Sequence, residues 1–366
     1  MNIRNILMTV SLALSVLIGM VVARGGRSDS AMGATSGSSG SSSARGIPIG
    51  LSLDTLKEER WQNDRNMFVK RAEELGATVK VQSANSDDGQ QMRDVQSLLT
   101  SGVKVLVIAA HDGVAMAKAV KMAHAANVPV IAYDRLIRDS DLDLYLSFDN
   151  VRVGELQAKY VVDHLPGGKG SIVCIYGSPS DNNAKLFKQG QDNVLNPLVK
   201  KGDIKIVRAD WAQDWKPENA KKIMNAAITE GKKFDAVLAA NDGTAGGAIQ
   251  ALIEAGMGGG KVIVTGQDSE LAACQRIARG GQSMTIYKPL NKLASTAADS
   301  AVKLASGKAI IANQTVNNGQ VDVPSILDNV EIVTKENMVP IIVKQGFHTY
   351  DEIYSNVPAA QRPPRP

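Results

Sequence analysis

The sequence predicts an α/β protein built as two doubly wound lobes, each a parallel sheet covered by helices, and three observations carry that prediction. The chain has 366 residues, beyond the size at which a single core stops growing, so two domains of roughly 130 to 170 residues each are expected. From Ile47 onward, short apolar runs alternate with segments of helical length, and a strand followed by a helix, repeated, means a parallel sheet. After Val151 the alternation starts again as a second unit of the same class.

The first half predicts strands at Ile47 to Leu53, Thr78 to Ser83, Val105 to Ala109, Val130 to Tyr133 and Leu144 to Phe148. The segments between them are helical, and each has a stop signal: Glu59 to Leu75 ends at Gly76, Asp87 to Leu99 before Gly102, and Gly113 to Ala126 before Val128-Pro129. The second half predicts strands at Ser171 to Tyr176, Ile204 to Ala209, Ala236 to Ala240 and Val262 to Thr265. Helices are expected up to His164 and over Ala184 to Lys200, Pro217 to Ile228 and Thr244 to Ala255. The strands are continuous apolar runs instead of alternating ones, which fits sheets buried on both faces. A strand at Met284 to Tyr287, a helix from Pro289 to Ser306, a strand at Val330 to Val333 and a short helix near Glu336 to Lys344 follow. The proline-rich, polar end from Tyr354 is expected to be disordered, giving a tail over residues 348–366.

Residues 1–23 carry Arg4, run without charge from Asn5 to Ala23 and close on Val21-Val22-Ala23, a pattern a signal peptidase can cut. An export signal is expected, with an uncleaved membrane anchor as the alternative, because the stretch approaches a span of about 18 to 20 residues. Residues 24–46 are dominated by Ser and Gly, and as a flexible coil they would reach on the order of 25 Å. With a net charge of +4 and no basic run interleaved with aromatics, nucleic acid is not an expected partner. Cys174 and Cys274 can pair after export, but both fall inside apolar elements and are better read as buried thiols.

The familiar chemical motifs do not fit. Gly256 to Gly260 with Lys261 resembles a phosphate loop but lacks its spacing and precedes a strand, so it is a turn. Gly243 with Gly246-Gly247 has the wrong spacing for a dinucleotide fingerprint, and close helix packing explains it better. The four histidines show no zinc-helix spacing, and no nucleophile elbow accompanies them. No catalytic constellation, cofactor site or metal site is expected.

Polar and aromatic clusters instead sit where apolar strands end, the place where α/β proteins put ligand sites. They are Arg60-Trp61, Asp134-Arg135, Asp181 to Asn183, Trp215, Asn241-Asp242, Gln267-Asp268 and Tyr287-Lys288. Asp134, Asp181 and Asp268 against Arg60, Arg135 and Lys288 balance three negative charges with three positive ones, which suits a neutral ligand with many hydroxyls. Sugars need flat apolar rings for their C–H faces, which Trp61 and Trp215 can supply, and charged donors and acceptors for their hydroxyls. Asp242 is read as a helix cap or turn residue, with Asn241 the better ligand contact.

The motifs Glu59-Arg60-Trp61-Gln62, Val81-Gln82-Ser83-Ala84-Asn85, Ala132-Tyr133-Asp134-Arg135, Ser147-Phe148-Asp149-Asn150, Gly177-Ser178-Pro179, Asp181-Asn182-Asn183-Ala184-Lys185-Leu186-Phe187, Asn241-Asp242, Gly266-Gln267-Asp268 and Tyr287-Lys288-Pro289 carry a resemblance. Together they resemble the sugar-binding periplasmic proteins of bacterial ABC importers, in the class shared by xylose-, ribose- and galactose-binding members. The likeness covers about residues 47–348. It implies a periplasmic binding protein type I fold with a three-segment hinge, crossing near Asn150 to Gly154, Tyr287 to Pro289 and Val321 to Pro324. The N-terminal lobe would then be residues 47–151 plus 288–322, and the C-terminal lobe 152–287 plus 323–347.

By that resemblance Arg60, Trp61, Asp134, Arg135, Asp181, Asn183, Trp215, Asn241, Asp268 and Lys288 would hold D-xylose or a close aldose. Hinge closure would present the sugar to an ABC importer permease, with the protein acting as a periplasmic monomer without cofactor or metal. A membrane-tethered sugar sensor is the alternative. A transcription regulator with this core would need a helix-turn-helix ahead of it, where this chain has an apolar stretch and a linker. A sugar-active enzyme would need a base and a cofactor site that the sequence does not offer.

Overall fold

A computed structural model of the chain describes residues 46–366. The expected signal or anchor at 1–23, and the Ser/Gly segment apart from Gly46, lie outside the described residues. Among the described residues no helix is long and apolar enough to cross a membrane. Residues 46–366 belong to one compact unit, in which two sheets define the two lobes.

The N-terminal lobe opens with β1 (Ile47–Leu53), α1 (Glu59–Glu74), β2 (Ala77–Ser83), α2 (Asp88–Thr100), β3 (Val105–Ala109), α3 (Ala117–Ala125), β4 (Val130–Tyr133) and β5 (Leu144–Phe148). β1 pairs in parallel with β2 on one side and β3 on the other, and β4 and β5 extend the parallel ladder. Strand β3 shows why the sheet is buried on both faces. Val105, Val107 and Ala109 join the core under α1, whereas Leu106 and Ile108 point the other way, to the core with α2 and α3.

The C-terminal lobe repeats the scheme with α4 (Asn150–His164), β6 (Gly170–Tyr176), α5 (Asn182–Lys201), β7 (Ile204–Trp211), α6 (Pro217–Thr229), β8 (Ala236–Ala239), α7 (Asp242–Glu254), β9 (Ile263–Val264) and α8 (Leu271–Ala278). Its parallel sheet runs β7-β6-β8-β9. In β6, Val173 and Ile175 face α6 and α7, while Ile172 and Cys174 face the other core. Both cysteines are free and buried. Helices α4 and α5 touch at Gly154 and Gly190, where a Cβ on either would come within 1.9 Å of a carbonyl oxygen of the opposite helix. Gly247 plays the same part between α7 and α6, with Pro217 O at 2.1 Å, so close packing accounts for Gly247, whereas a Cβ at Gly243 or Gly246 would meet only ordinary contacts, at 3.6 and 3.4 Å. Gly256 to Gly260 lies in a turn, as expected.

The chain then crosses between lobes. β10 (Thr285–Tyr287) belongs with the C-terminal lobe, but α9 (Leu290–Ala305) returns to the N-terminal core, where Leu290, Leu293 and Ala297 pack with Trp61 and Phe68. β11 (Gln314–Asn317) and β12 (Asp322–Asp328) complete a seven-stranded sheet. Here the structure corrects the expected division. Residues 323–328, assigned to the C-terminal lobe, are a strand of the N-terminal sheet, with Ser325 opposite Tyr145 and Asp328 opposite Phe148. The third crossing therefore falls after Asp328, before β13 (Glu331–Val333) pairs antiparallel with β10. Pro324 is tolerated in this strand because it pairs only with the edge strand β11, at Thr315, and the ladder to β5 begins one residue later.

The tail over 348–366 is also corrected. A capping box, Thr349 with Glu352, starts the short helix α10 (Tyr350–Tyr354). Ile353, Tyr354 and Val357 are buried against Cys274, Ile277, Met338 and Ile342. Farther on, the Tyr350 hydroxyl donates to Pro363 O at 2.6 Å, and Arg362 Nε donates to Val357 O at 2.7 Å.

Candidate functional site

All ten expected site residues lie just beyond the C-terminal ends of parallel strands or at the hinge, and all ten are buried, between 1% and 7% exposed. Arg60 and Trp61 begin α1, and Asp134 and Arg135 follow β4. From the other lobe, Asp181 and Asn183 open α5, Trp215 sits in a short 3-10 turn before α6, Asn241 precedes α7 and Asp268 follows β9. Lys288 leaves β10 at the second crossing. They line one cavity of about 400 Å³ between the lobes, together with Glu58, Phe187 and Gln267.

Backbone strain concentrates here. Asp134, Trp215 and Asp268 hold φ values of 62°, 57° and 94°, a region costly for side chains and common at functional sites. The Asp134 carbonyl is held by three donors: Ser147 Oγ at 2.7 Å, Asn183 Nδ2 at 3.0 Å and the Tyr145 hydroxyl at 3.1 Å. The Trp215 ring lies flat against Gly177, where any Cβ would meet ring carbons at 2.0 Å. Its indole N–H donates to Asp181 at 3.1 Å, and Phe187 meets it edge-on at 6.2 Å. Trp61 is flanked by both guanidinium groups, Arg60 at 4.5 Å and Arg135 at 5.1 Å from the ring centre, so it joins cavity to core.

The charges are matched across the lobes. Arg135 donates to Asp54 at 2.7 Å and reaches Asp181 at 3.0 Å. Arg60 is paired with Asp134 and lies 3.5 Å from Asp268, and Lys288 is 3.2 Å from the same Asp268 oxygen. Asn183 Nδ2 donates to Asp134 Oδ1 at 3.0 Å, and the Glu59 carboxylate accepts from Leu271 N at 3.2 Å. These bonds tie the N-terminal to the C-terminal lobe, so the described conformation is closed over the cavity.

Burial alone would push the Asp134 carboxyl up, but Arg60 and Lys288 outweigh it and hold the group below the ordinary carboxylate range. Asp54 behaves likewise, held down to about 2 by Arg135 and His111 against its burial. Burial wins at Asp64, pushed up to about 6, and at Asp181 and Glu58, both raised. The His111 imidazole is raised by its hydrogen bond to Asp54, 2.8 Å away.

A model of the periplasmic binding protein domain matches residues 49–309. The chain belongs to the periplasmic binding protein family. The D-xylose-binding periplasmic protein of Escherichia coli strain K12 is 50% identical over 311 residues, 85% of this chain and 93% of that protein. The D-xylose-binding periplasmic protein of Haemophilus influenzae is 47% identical over 324 residues, 88% of this chain and 97% of that one. Among solved structures, an ABC transporter solute binding protein from Clostridium phytofermentans with bound β-D-glucose superposes with a TM-score of 0.78 at 31% identity, covering 84% of this chain and 99% of that one.

As a member of this family the chain keeps the two-lobed α/β plan expected from its sequence. Sequence reasoning passed over part of the cavity wall. Glu58 stands one residue before the Glu59-Arg60 motif and was not singled out. Gln267 and Phe187 were noticed only as neighbours of Asp268 and Asn183. The partners behind the wall, Asp54, Asp64 and His111, carry no local signal, because each is placed by a different strand end or helix turn. Asn241 caps α7 through a reciprocal bond with Thr244, yet its amide nitrogen has no partner among the described residues and faces the cavity. Asp242 is no cap: it is fully buried and accepts from Gln282, Thr285 and the Glu270 backbone.

Proposed function

We propose that this protein captures D-xylose, or an aldose close to it, in the cleft between its lobes and delivers it to an ABC importer from the periplasm. The observation that carries the reading is the cavity itself: an enclosed space between the lobes, walled from both by balanced charges and two tryptophans. A neutral ligand fits a wall whose charges already pair with one another, and hydroxyls can both donate to the spare carboxylate oxygens and accept from Arg60, Asn241 and Lys288. The two relatives named for D-xylose, each about half identical over most of this chain, support the same sugar.

In this reading the ten side chains contact the sugar, and the sugar works by favouring the closed arrangement. A ligand shifts a hinge equilibrium only by as much as it binds one state better than the other. Here the contacts on the sugar come from both lobes, so they exist together only when the cleft is shut. The closed surface is then what a permease would read.

Calorimetric titration of residues 46–366 with D-xylose, D-glucose, D-ribose and L-arabinose, followed also by tryptophan emission, tests the proposal. One-to-one binding tightest for D-xylose, with altered emission from Trp61 and Trp215, is expected. Tighter binding of another aldose would discard xylose, and a folded protein that binds none of the four would overturn the sugar-binding reading.

A further inference from the structure

The cavity wall has few unspent acceptors. Both oxygens of Asp134 and both of Asp181 are taken by protein donors. Glu58 Oε2, like Gln267 Oε1 and Asp268 Oδ1 on the same wall, is buried without a hydrogen-bond partner among the described residues, and of the three only Glu58 also borders the larger space at the mouth of the cleft. Glu58 stands at the N-cap of α1 with extended dihedrals, φ −77° and ψ 142°, yet its side chain makes no capping bond, which is what an N-cap side chain ordinarily does. The carboxyl faces the cavity instead.

Its position is distinctive in a second way. A larger space of about 1,000 Å³ lies at the mouth of the cleft, between Lys57, Glu59 and Ser86 of one lobe and Lys216, Glu218 and Glu270 of the other. Among the described residues, Glu58 is the one that lines both this mouth and the inner cavity. The ten expected sugar contacts are buried, and Arg60–Asp268, Arg135–Asp181 and Asn183–Asp134 join the lobes among them, so these six cannot yield without loosening the closed form. A smaller space adjoins the inner cavity at Arg60 and Asp268, but a ligand that extends toward the roomier mouth passes Glu58.

We propose that Glu58 is a specificity-determining residue that sets the upper size limit of the sugar, accepting a hydroxyl of a pentose and barring the added hydroxymethyl of the corresponding hexose. The proposal rests on the sugar-binding reading above. D-xylose and D-glucose make the comparison clean, since as pyranoses they differ by that hydroxymethyl group alone. Glu58→Ala opens the partition between cavity and mouth, while Glu58→Gln keeps its volume. Glu58→Ser opens it too and supplies a capping oxygen to α1, which guards against loss of the helix start.

The test is calorimetric titration of the wild type and the three variants with both sugars. Wild type is expected to prefer D-xylose; Glu58→Ala and Glu58→Ser should shift the glucose-to-xylose affinity ratio by roughly tenfold or more toward glucose, and Glu58→Gln should restore it to within about threefold of wild type. A wild type that binds D-xylose, with folded Ala and Ser variants that leave the ratio unchanged, overturns the role of Glu58 alone. A shift as large in Glu58→Gln as in Glu58→Ala overturns size as the cause. Wild type binding neither sugar overturns the sugar-binding reading itself.

Discussion

Asp268→Ala removes the one carboxylate shared by Lys288, at 3.2 Å, and Arg60, at 3.5 Å. The two cations are not equally exposed to the loss. Arg60 keeps its pair with Asp134 and its contact with Asp64. Lys288, 1% exposed, has no second carboxylate within ion-pair distance among the described residues and is left above the Phe148 and Phe187 rings, 5.3 Å from each centre. Breaking one side of a buried pair costs about 3 to 5 kcal/mol, and the two cation–π contacts, already present beside the intact pair, return none of it. A loss of about 3 to 5 kcal/mol falls on the closed form, where Asp268 meets Arg60 across the cleft as well as Lys288 at the hinge. At about 1.4 kcal/mol per decade, affinity for D-xylose should fall roughly 100-fold to several thousand-fold. Asp268→Asn keeps the shape and tolerates the φ of 94° better than alanine does, so its loss should be smaller. Titration calorimetry on variants whose urea midpoints prove them folded measures both. Folded Asp268→Ala binding within about threefold of wild type would refute the argument that this carboxylate couples hinge and lobes.

Three other outcomes follow from particular contacts. Gly177→Ala drives a methyl into the Trp215 ring, so it should change tryptophan emission and weaken sugar binding by about tenfold or more while the chain stays folded; unchanged emission and affinity would count against Trp215 as a cavity wall. Burial pushes Asp242 up to about 7, so its proton is held more tightly in the folded chain, and that stabilisation is present in full below about pH 4 and lost as pH rises through about 7. The stability of wild type relative to Asp242→Asn, from urea midpoints, should therefore decline by a few kcal/mol between those values, and a constant difference would refute it. Removing residues 349–366 uncovers the surface that holds Ile353, Tyr354 and Val357; at about 1.5 to 3 kcal/mol for each buried side chain, several kcal/mol should be lost in denaturant unfolding, whereas an unchanged midpoint would return the tail to the disordered class.

The alternation of apolar runs and helical segments made the two sheets legible, because strands buried on both faces have no other way to be written. What was not legible depended on partners distant in sequence. β12 carries Pro324 and exposed Asp322, and nothing local says that its following residues find β5, nearly 180 positions earlier. The tail was misjudged by composition: three apolar side chains and one capping box suffice when a hydrophobic surface already waits for them on α8 and the turn at Val339–Val343.

The site shows the same division in sharper form. Its charged residues could be named because each follows a strand, and their balance was visible as three acids against three bases. The balance in the fold is wider, since Asp54, Asp64 and Glu58 add carboxyls that burial pushes up or cations hold down. A sequence shows which groups are present but not how they spend their hydrogen bonds. Asp181 was read as an acceptor for a ligand hydroxyl, yet its two oxygens already serve Asn183, Trp215 and Arg135. Its part in holding a sugar is therefore to fix the tryptophan and the guanidinium that face the ligand as much as to bond it. Selectivity must then rest on the few groups with something left to offer, and of these Glu58, the one on the edge of the open mouth, is the one whose loss would change the size of sugar admitted.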